Sequence, residues 1–357
     1  MKKILEALNK IFKTNPAADW ILLVAAIGTI TSSFLVGHLP HFSQNDLKIL
    51  FILAMLLIIV RGLEYSALFA AIEGRLSSGK WLPVQLILIT ALLSMFVTND
   101  AALLVMVPFT LNMSVSHKNR IVIAEVLSAN VGSALTPIGN PQNLYIYSHY
   151  HIHVLRFMSE ILPFVLIGVF CLVIWGFSLS NDFKNATIQR KVHLDRNSYI
   201  YGFFLILIVL VVLHLFPFYV CSIVLIYVAF LDRNKLKVDY LLLLTFFFFF
   251  GFSNNLVAMI AFRFVRPERI FWFSAFSSQV ISNVPTALLF AKFTSNWRDL
   301  LWGVSFGGLG NLVGSLANLI AYRFYSQRTK NGKSFLWQFH TISYTAFALG
   351  CLVYYLS

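Results

Sequence analysis

The chain has 357 residues, 59% of them hydrophobic, 16% aromatic and 11% charged, and its formal net charge is +13. Soluble domains carry about 25% charged residues, so the composition excludes an ordinary soluble enzyme and specifies an integral membrane protein. The 27 Lys and Arg residues are spread over short loops rather than one basic face, which argues against a nucleic-acid partner and for cytoplasmic loops beside a lipid bilayer.

The apolar segments run to about 15–21 residues. That suits helices crossing a core of roughly 30 Å and not barrel strands of about 10 alternating residues, so an all-α membrane protein is expected. Lys2, Lys3, Lys10 and Lys13 precede the first apolar run, no small-residue cleavage site follows it, and residues 1–19 read as a cytoplasmic segment. Residues 20–36 then cross outward, 47–60 return, and 62–76 lie at the interface. Residues 81–97 and 101–116 flank Thr98-Asn99-Asp100 and end on Lys80 and on Lys118 and Arg120. Legs of about 25 Å at 1.5 Å per residue, with basic residues at both ends, predict a re-entrant hairpin with a buried tip. Residues 121–153 form a helix broken at Thr136–Asn143, where Pro137, Gly139 and Pro141 interrupt the hydrogen bonding. Residues 159–179 return to a loop holding Lys184, Arg190, Lys191 and Arg196.

In the second half, 199–216 crosses outward, 217–231 returns, 238–252 crosses again and 253–266 makes a second interfacial run. Residues 270–281 and 285–295 flank Ser282-Asn283; at about 16–18 Å neither leg can span, which predicts a hairpin entering from the outer face. Residues 299–326 return, broken at Gly310–Ser315, and 335–356 make the last crossing. The same order of elements starts at residues 20 and 217, and the crossing at 199–216 inverts the second copy. The expected organisation is therefore 1–19 cytoplasmic, 20–180 first repeat, 181–216 loop and linking helix, and 217–357 inverted second repeat. Inverted repeats with broken helices meeting at mid-membrane are the architecture of secondary transporters.

Chemistry gathers at the breaks. Ser94, Thr98 and Asn99 recur as Ser278, Ser282 and Asn283, and each set is followed by a Gly- and Asn-rich interruption, Thr136–Asn143 and Gly310–Asn318. These four breaks are read as the walls of one buried site. Asp100 is the most informative residue, because a charged carboxylate at mid-membrane costs at least about 2.5 kcal/mol and is usually a cation ligand or proton carrier. The plainer alternative for it is a helix N-cap. Asn99 and Asn283 are assigned a ligand role by their matched positions. Asn130, Asn140, Asn143, Asn254, Asn255 and Asn318 divide between ligand and interhelical glue. Glu125 reads as an interfacial charge at a helix start. His149, His151 and His153 read as a periplasmic loop rather than a metal site. Cys171, Cys221 and Cys351 read as buried inert thiols, Phe246–Phe250 as lipid-facing filler, and Gly132, Gly307, Gly308 and Gly310 as points of close helix contact or of contact with substrate.

The tips Thr98-Asn99-Asp100 and Ser282-Asn283-Val284-Pro285-Thr286 and the breaks Thr136-Pro137-Ile138-Gly139 and Gly314-Ser315-Leu316-Ala317 resemble those of the ion transporter superfamily. The similarity is to its arsenite permease and sodium:proton antiporter branch, with divalent anion:sodium symporters as more distant relatives. The resemblance implies cation ligands from Ser94, Thr98, Asn99, Asp100 and the backbone at Gly139, and from Ser278, Ser282, Asn283 and the backbone at Gly314. It implies substrate contacts from Thr98, Asn99, Asp100, Asn140, Ser282, Asn283, Thr286 and Asn318. Asp100 departs from the symporter pattern, which has Thr, and Val284 leaves the second tip without an acid. The second break lacks Thr-Pro-Ile-Gly, so a different backbone geometry is expected there.

The function expected is secondary active transport of a small anion by alternating access, coupled to sodium or protons, in the inner membrane with the N-terminus cytoplasmic. The alternatives are a sodium:proton antiporter and an arsenite or antimonite efflux permease. No cofactor beyond a coupling ion is expected, and the oligomeric state stays open between monomer and homodimer. A channel would need a continuous polar lining. An enzyme is not expected from a chain without HExxH, Gly-x-Ser-x-Gly or a carboxylate pair.

Overall fold

The structure, a computed structural model, describes residues 16–76, 79–113, 118–180, 192–259, 269–329 and 332–356. Among them regular structure is entirely helical. The first half holds α1 (Pro16–Val36), α2 (Gln44–Glu64), α3 (Leu68–Glu73), α4 (Leu82–Val97), α5 (Asn99–Asn112), α6 (Lys118–Ser133), α7 (Pro141–His149) and α8 (Val154–Ser178). Then follow α9 (Arg196–Val212), α10 (Ser222–Leu231), α11 (Tyr240–Met259), α12 (Ile270–Ile281), α13 (Asn283–Phe290), α14 (Trp297–Gly307), α15 (Leu316–Arg328) and α16 (Gly332–Leu356). The basic residues Lys184, Arg190, Lys191, Arg263 and Arg266, and the lysines before residue 16, lie outside the described residues.

Polar residues at the helix starts explain several boundaries. Ser43 opens α2 with a reciprocal cap: its hydroxyl accepts from the Asp46 N–H and Asp46 Oδ2 accepts from the Ser43 N–H, both at 3.1 Å. Asp195 caps α9 by accepting from the Ser198 N–H at 3.0 Å, and accepts from the Ala67 N–H at 3.0 Å as well. Hydrogen bonds from Ser198 hold this half-buried carboxyl below the usual carboxylate range.

Packing follows one pattern in both halves. Helices α4 and α5 pack on α6, and α12 and α13 pack on α14. Across the halves the partners exchange: α5 packs on α15 and α13 on α7, while α1 packs on α11 and α10 on α2. The surface is oily and the interior polar. Phe34, Leu35, Phe170 and Leu352 are at least 60% exposed, whereas Asn99, Asn130, Asn283 and Asn318 are at most 4% exposed. Water would reverse this arrangement; lipid favours it. Helices α8, α11 and α16 are long and apolar enough to cross a membrane.

Four expectations need correction. Residues 253–259 are not separate from the preceding helix, because α11 continues to Met259; the rest of the expected interfacial run, 260–266, lies outside the described residues. The helix continues because Asn255 Nδ2 donates to Ser32 Oγ and Ser33 Oγ at 3.0 and 2.9 Å, so α11 pairs with α1 through its polar end. Phe246, Phe249 and Phe250 are buried against the protein, and of that run only Phe247 is exposed. Glu125 is fully buried and not interfacial, since α4, α5, α8, α15 and α16 surround its helix. Cys171 is exposed on the outer face of α8, while Cys221 and Cys351 are buried.

Of the two ion pairs among the described residues that tie the halves together away from the breaks, Glu160–Arg298 and Asp46–Lys292, the second is the more buried. Lys292, just after α13, lies 3.5 Å from Asp46 Oδ2 at the start of α2 and donates to Asn254 Oδ1 of α11. With side chains only 12% and 3% exposed, removing one partner strands the other. Lys292→Met is therefore expected to lower the thermal midpoint of the detergent-purified protein, and Asp46→Asn added to it to recover part of the loss. Equal midpoints for wild type and Lys292→Met would show that the pair carries no stability.

Candidate functional site

A helix that stops inside the protein leaves N–H and C=O groups that must find partners there. The breaks solve this with the same bonds made twice. The Asn99 N–H donates to the Gly139 carbonyl at 3.0 Å, and the Asn283 N–H donates to the Gly314 carbonyl at 3.0 Å. Asn143 Nδ2 donates to the Ser133 and Thr136 carbonyls at 3.1 and 3.0 Å, while Asn318 Nδ2 donates to those of Gly308 and Asn311 at 3.0 and 2.9 Å. Thr136 Oγ1 donates to the Met95 carbonyl at 2.5 Å, and Asn311 Nδ2 to the Gln279 carbonyl at 2.7 Å. The second break makes the same connections because the Asn311 amide replaces the Thr136 hydroxyl, while its backbone differs as expected: Gly310 has φ 100°, and no residue of the first break has a positive φ.

Glycine is required where the chain folds back on itself. A Cβ on Gly139 would stand 2.2 Å from the Ser133 carbonyl oxygen, and one on Gly314 2.4 Å from that of Gly307. The tips are strained. Thr98 has φ 86° and ψ 152°, and Ser282 φ 74° and ψ 157°, a region that residues other than glycine rarely occupy and that costs about 1–3 kcal/mol. Each tip is held there by the Asn N–H to Gly carbonyl bond that follows it.

The two halves meet through side chains. Asn99 Nδ2 donates to Asn130 Oδ1 at 3.2 Å and lies 3.4 Å from Ser315 Oγ. Asn130 Nδ2 donates to Asn318 Oδ1 at 2.7 Å. Ser282 Oγ lies 3.4 Å from the Gly314 carbonyl, so both tips reach residues 314–315. Asn140 caps α7, accepting from the Asn143 N–H at 3.0 Å, and donates to Ser133 Oγ at 3.1 Å. Ser94 and Ser278 are buried and donate to carbonyls of their own helices, Ala91 and Ser274, at 2.7 Å. Thr286 Oγ1 donates to the Ser282 carbonyl at 2.8 Å.

The halves differ in charge and capping. Asp100 Oδ1 is buried and has no hydrogen-bond partner, while Val284 occupies the matching place. Thr98 and Asn140 cap α5 and α7, but neither Ser282 nor Ser315 caps α13 or α15. The first half presents a free carboxylate oxygen, and the second presents helix starts without a side-chain acceptor. No cluster of three or more His, Cys, Asp or Glu side chains that would hold a metal occurs among the described residues.

Sequence reasoning passed over Gln279. Its Nε2 donates to the Gly307 and Leu309 carbonyls at 2.9 Å and its Oε1 accepts from the Asn311 N–H at 2.9 Å, so it binds the second break to its hairpin. Its place three residues before Ser282, in the motif shared with the first tip, was the available signal.

A chain that is helical throughout the regular structure of its described residues, with an apolar exterior and a polar interior, is a multi-pass membrane protein, and its family makes it a transporter. Comparison with known proteins specifies the family: the model for citrate transporters matches residues 10–297, and the chain belongs to that family. It is 32% identical over 313 residues to an uncharacterized transporter of Methanocaldococcus jannaschii, covering 85% of this chain and 88% of that one. It is 30% identical over 360 aligned residues to the inner membrane protein YbiR of Escherichia coli, covering 94% and 93%. A silicon efflux transporter of Oryza sativa is 33% identical over 136 residues, 36% of this chain and 28% of that protein.

The amide cages give a stability prediction. Asn143→Ala and Asn318→Ala each strip buried carbonyls of their donor, at about 1–3 kcal/mol per unsatisfied group. Asn140→Ala removes a cap worth about 1 kcal/mol. Thermal unfolding in detergent is expected to rank Asn140→Ala above the other two variants in midpoint; indistinguishable midpoints would contradict the role given to the cages.

Proposed function

We propose that the chain is a secondary active transporter of a small carboxylate or oxyacid anion, working by alternating access and coupled to sodium or protons through Asp100. The observation that carries this reading is the unpartnered Asp100 Oδ1 beside a tip whose amide joins the opposite half. A buried carboxylate oxygen without a donor suits a cation, and the start of α15, which has no side-chain cap, suits an anion. Thr98, Asn99, Asp100 and the backbone at Gly139 are proposed to hold the cation, with Ser94 supporting their tip. Ser282, Asn283, Thr286 and the backbone around Gly314 are proposed to face the anion, with Ser278, Asn140 and Asn318 shaping the breaks. The two halves are proposed to be inverted repeats with re-entrant hairpins, residues 20–180 and 217–357, which the recurring bonds and exchanged packing partners support. Inner-membrane placement is supported by the E. coli relative, and a cytoplasmic N-terminus by the basic loops.

The family description makes citrate the first substrate to test. The rice relative, named for silicon efflux, supports a second reading in which an oxyacid leaves the cell. Purified protein in proteoliposomes is expected to take up labelled citrate faster under an imposed sodium or pH gradient, and Asp100→Asn to abolish the gradient's effect. Uptake indifferent to both gradients, or unchanged in Asp100→Asn, would overturn the coupling role. A sodium-driven pH change without any anion would favour the antiporter instead.

Topology has its own test. In a chain whose native cysteines are replaced by Ser, Lys80→Cys is expected to be protected from an impermeant thiol reagent in intact cells and Ser295→Cys to be modified. Labelling of both, or of neither, would remove the inversion.

A further inference from the structure

Asp100 is not the only acid inside the fold. Glu125 lies on α6, in a stretch from Ile121 to Ser133 in which every residue is buried, and its own exposure is 0%. Thr110 of α5 donates to Glu125 Oε1 at 2.5 Å. Oε2 is buried with no hydrogen-bond partner, and so is Ser128 Oγ, three residues further along the same helix face.

An ionised carboxylate would have one neutral hydroxyl as its compensation. The elements around α6 supply nothing better. Helix α4 carries no titratable side chain, and Asp100 on α5 sits ten residues before Thr110, about 15 Å along the helix. Near the same end, Lys118 donates to the Leu111 carbonyl, and Arg328 of α15 to the Pro108 carbonyl and Asn112 Oδ1. Glu160 of α8 pairs with Arg298, and Arg156 lies over the Trp297 ring. Arg120 faces the groove between α8 and α16, α15 also carries Arg323, and α16 carries Lys333 and His340; the hydrogen bond that the Glu125 carboxyl receives comes from Thr110, and Oε2 has no hydrogen-bond partner. An unpaired charge so placed costs several kcal/mol, and protonation removes that cost.

We infer that Glu125 is a proton-binding site, distinct from the site at the tips, that holds its carboxyl as the neutral acid in this conformation. Thr110 orients it through Oε1, which leaves Oε2 to carry the proton. Ser128 is the next polar atom toward the Asn130–Asn318 junction. The matching position in the second half, seven residues before Gly307 as Glu125 is before Gly132, is Leu300. The proton site therefore belongs to one half only, as Asp100 does. Relative motion of α5 and α6 would break the Thr110 contact and admit water, and the proton would leave as the carboxylate forms.

Infrared spectroscopy of the full-length protein in lipid tests this without any substrate. At neutral pH the wild type is expected to show the carbonyl stretch of a protonated carboxylic acid that disappears in Glu125→Gln. In Thr110→Val it is expected to shift to the position of a less hydrogen-bonded acid, which keeps the test alive if Glu125→Gln does not fold. Asp100→Asn separates any contribution from the tip. A spectrum unaltered by both Glu125→Gln and Thr110→Val would overturn the inference. A transport arm rests on the proposed function: Glu125→Gln, a mimic of the neutral acid, is expected to keep exchange of labelled for unlabelled citrate and lose accumulation driven by a pH gradient. Loss of both together, or of neither, would refute a coupling role. Absence of citrate exchange in the wild type would reject the substrate and leave the infrared result to decide Glu125.

Discussion

The bond from the Asn99 N–H to the Gly139 carbonyl, and its counterpart from Asn283 to Gly314, is the constraint on which the rest depends. A helix that ends in an apolar interior exposes donors at one end and acceptors at the other, and no water is at hand to take them. Here a tip offers the donor and a break offers the acceptor. Each hairpin is thus fixed to the broken helix of its own half, and each strained tip residue is kept in a conformation it would otherwise leave.

The side-chain amides extend this solution from one half to the other. Asn318 uses its amide nitrogen on carbonyls of its own break and its oxygen on Asn130, and Asn130 uses its oxygen on Asn99. Every link is a neutral hydrogen bond, individually worth about 1 kcal/mol in net stability. Such a junction can hold the halves in one arrangement and still be remade in another, which a fully buried ion pair would resist.

Repeated hydrogen bonds coexist with asymmetry in the chemistry. The repeated bonds need Asn, Gly and a short donor at the breaks, and both halves keep them. Acids and caps are not required for those bonds. Asp100 and Glu125 consequently stand in one half only, the matching positions of the other being Val284 and Leu300, and the hydroxyls of Ser282 and Ser315 leave their helix starts uncapped.

Much of this was legible in the linear chain. The oily composition, the polar tips at Thr98 and Ser282 and the Gly- and Asn-rich breaks follow from residue types alone, because lipid excludes them elsewhere and glycine alone tolerates the close approach at Gly139 and Gly314. Burial was less legible. Glu125 reads as interfacial because it follows Lys118 and Arg120 by a few residues, and only the helices packed around α6 put it in the interior. The Phe246–Phe250 run looks uniform, yet α1 and the core cover Phe246, Phe249 and Phe250 and leave Phe247 exposed. Asn311 carries no sign that it repeats the work of Thr136 until the two breaks are superposed in space. Residue chemistry and local backbone capacity are properties of the chain; which face is covered, and which carbonyl an amide reaches, depend on the neighbouring helix, and tertiary packing alone supplies that.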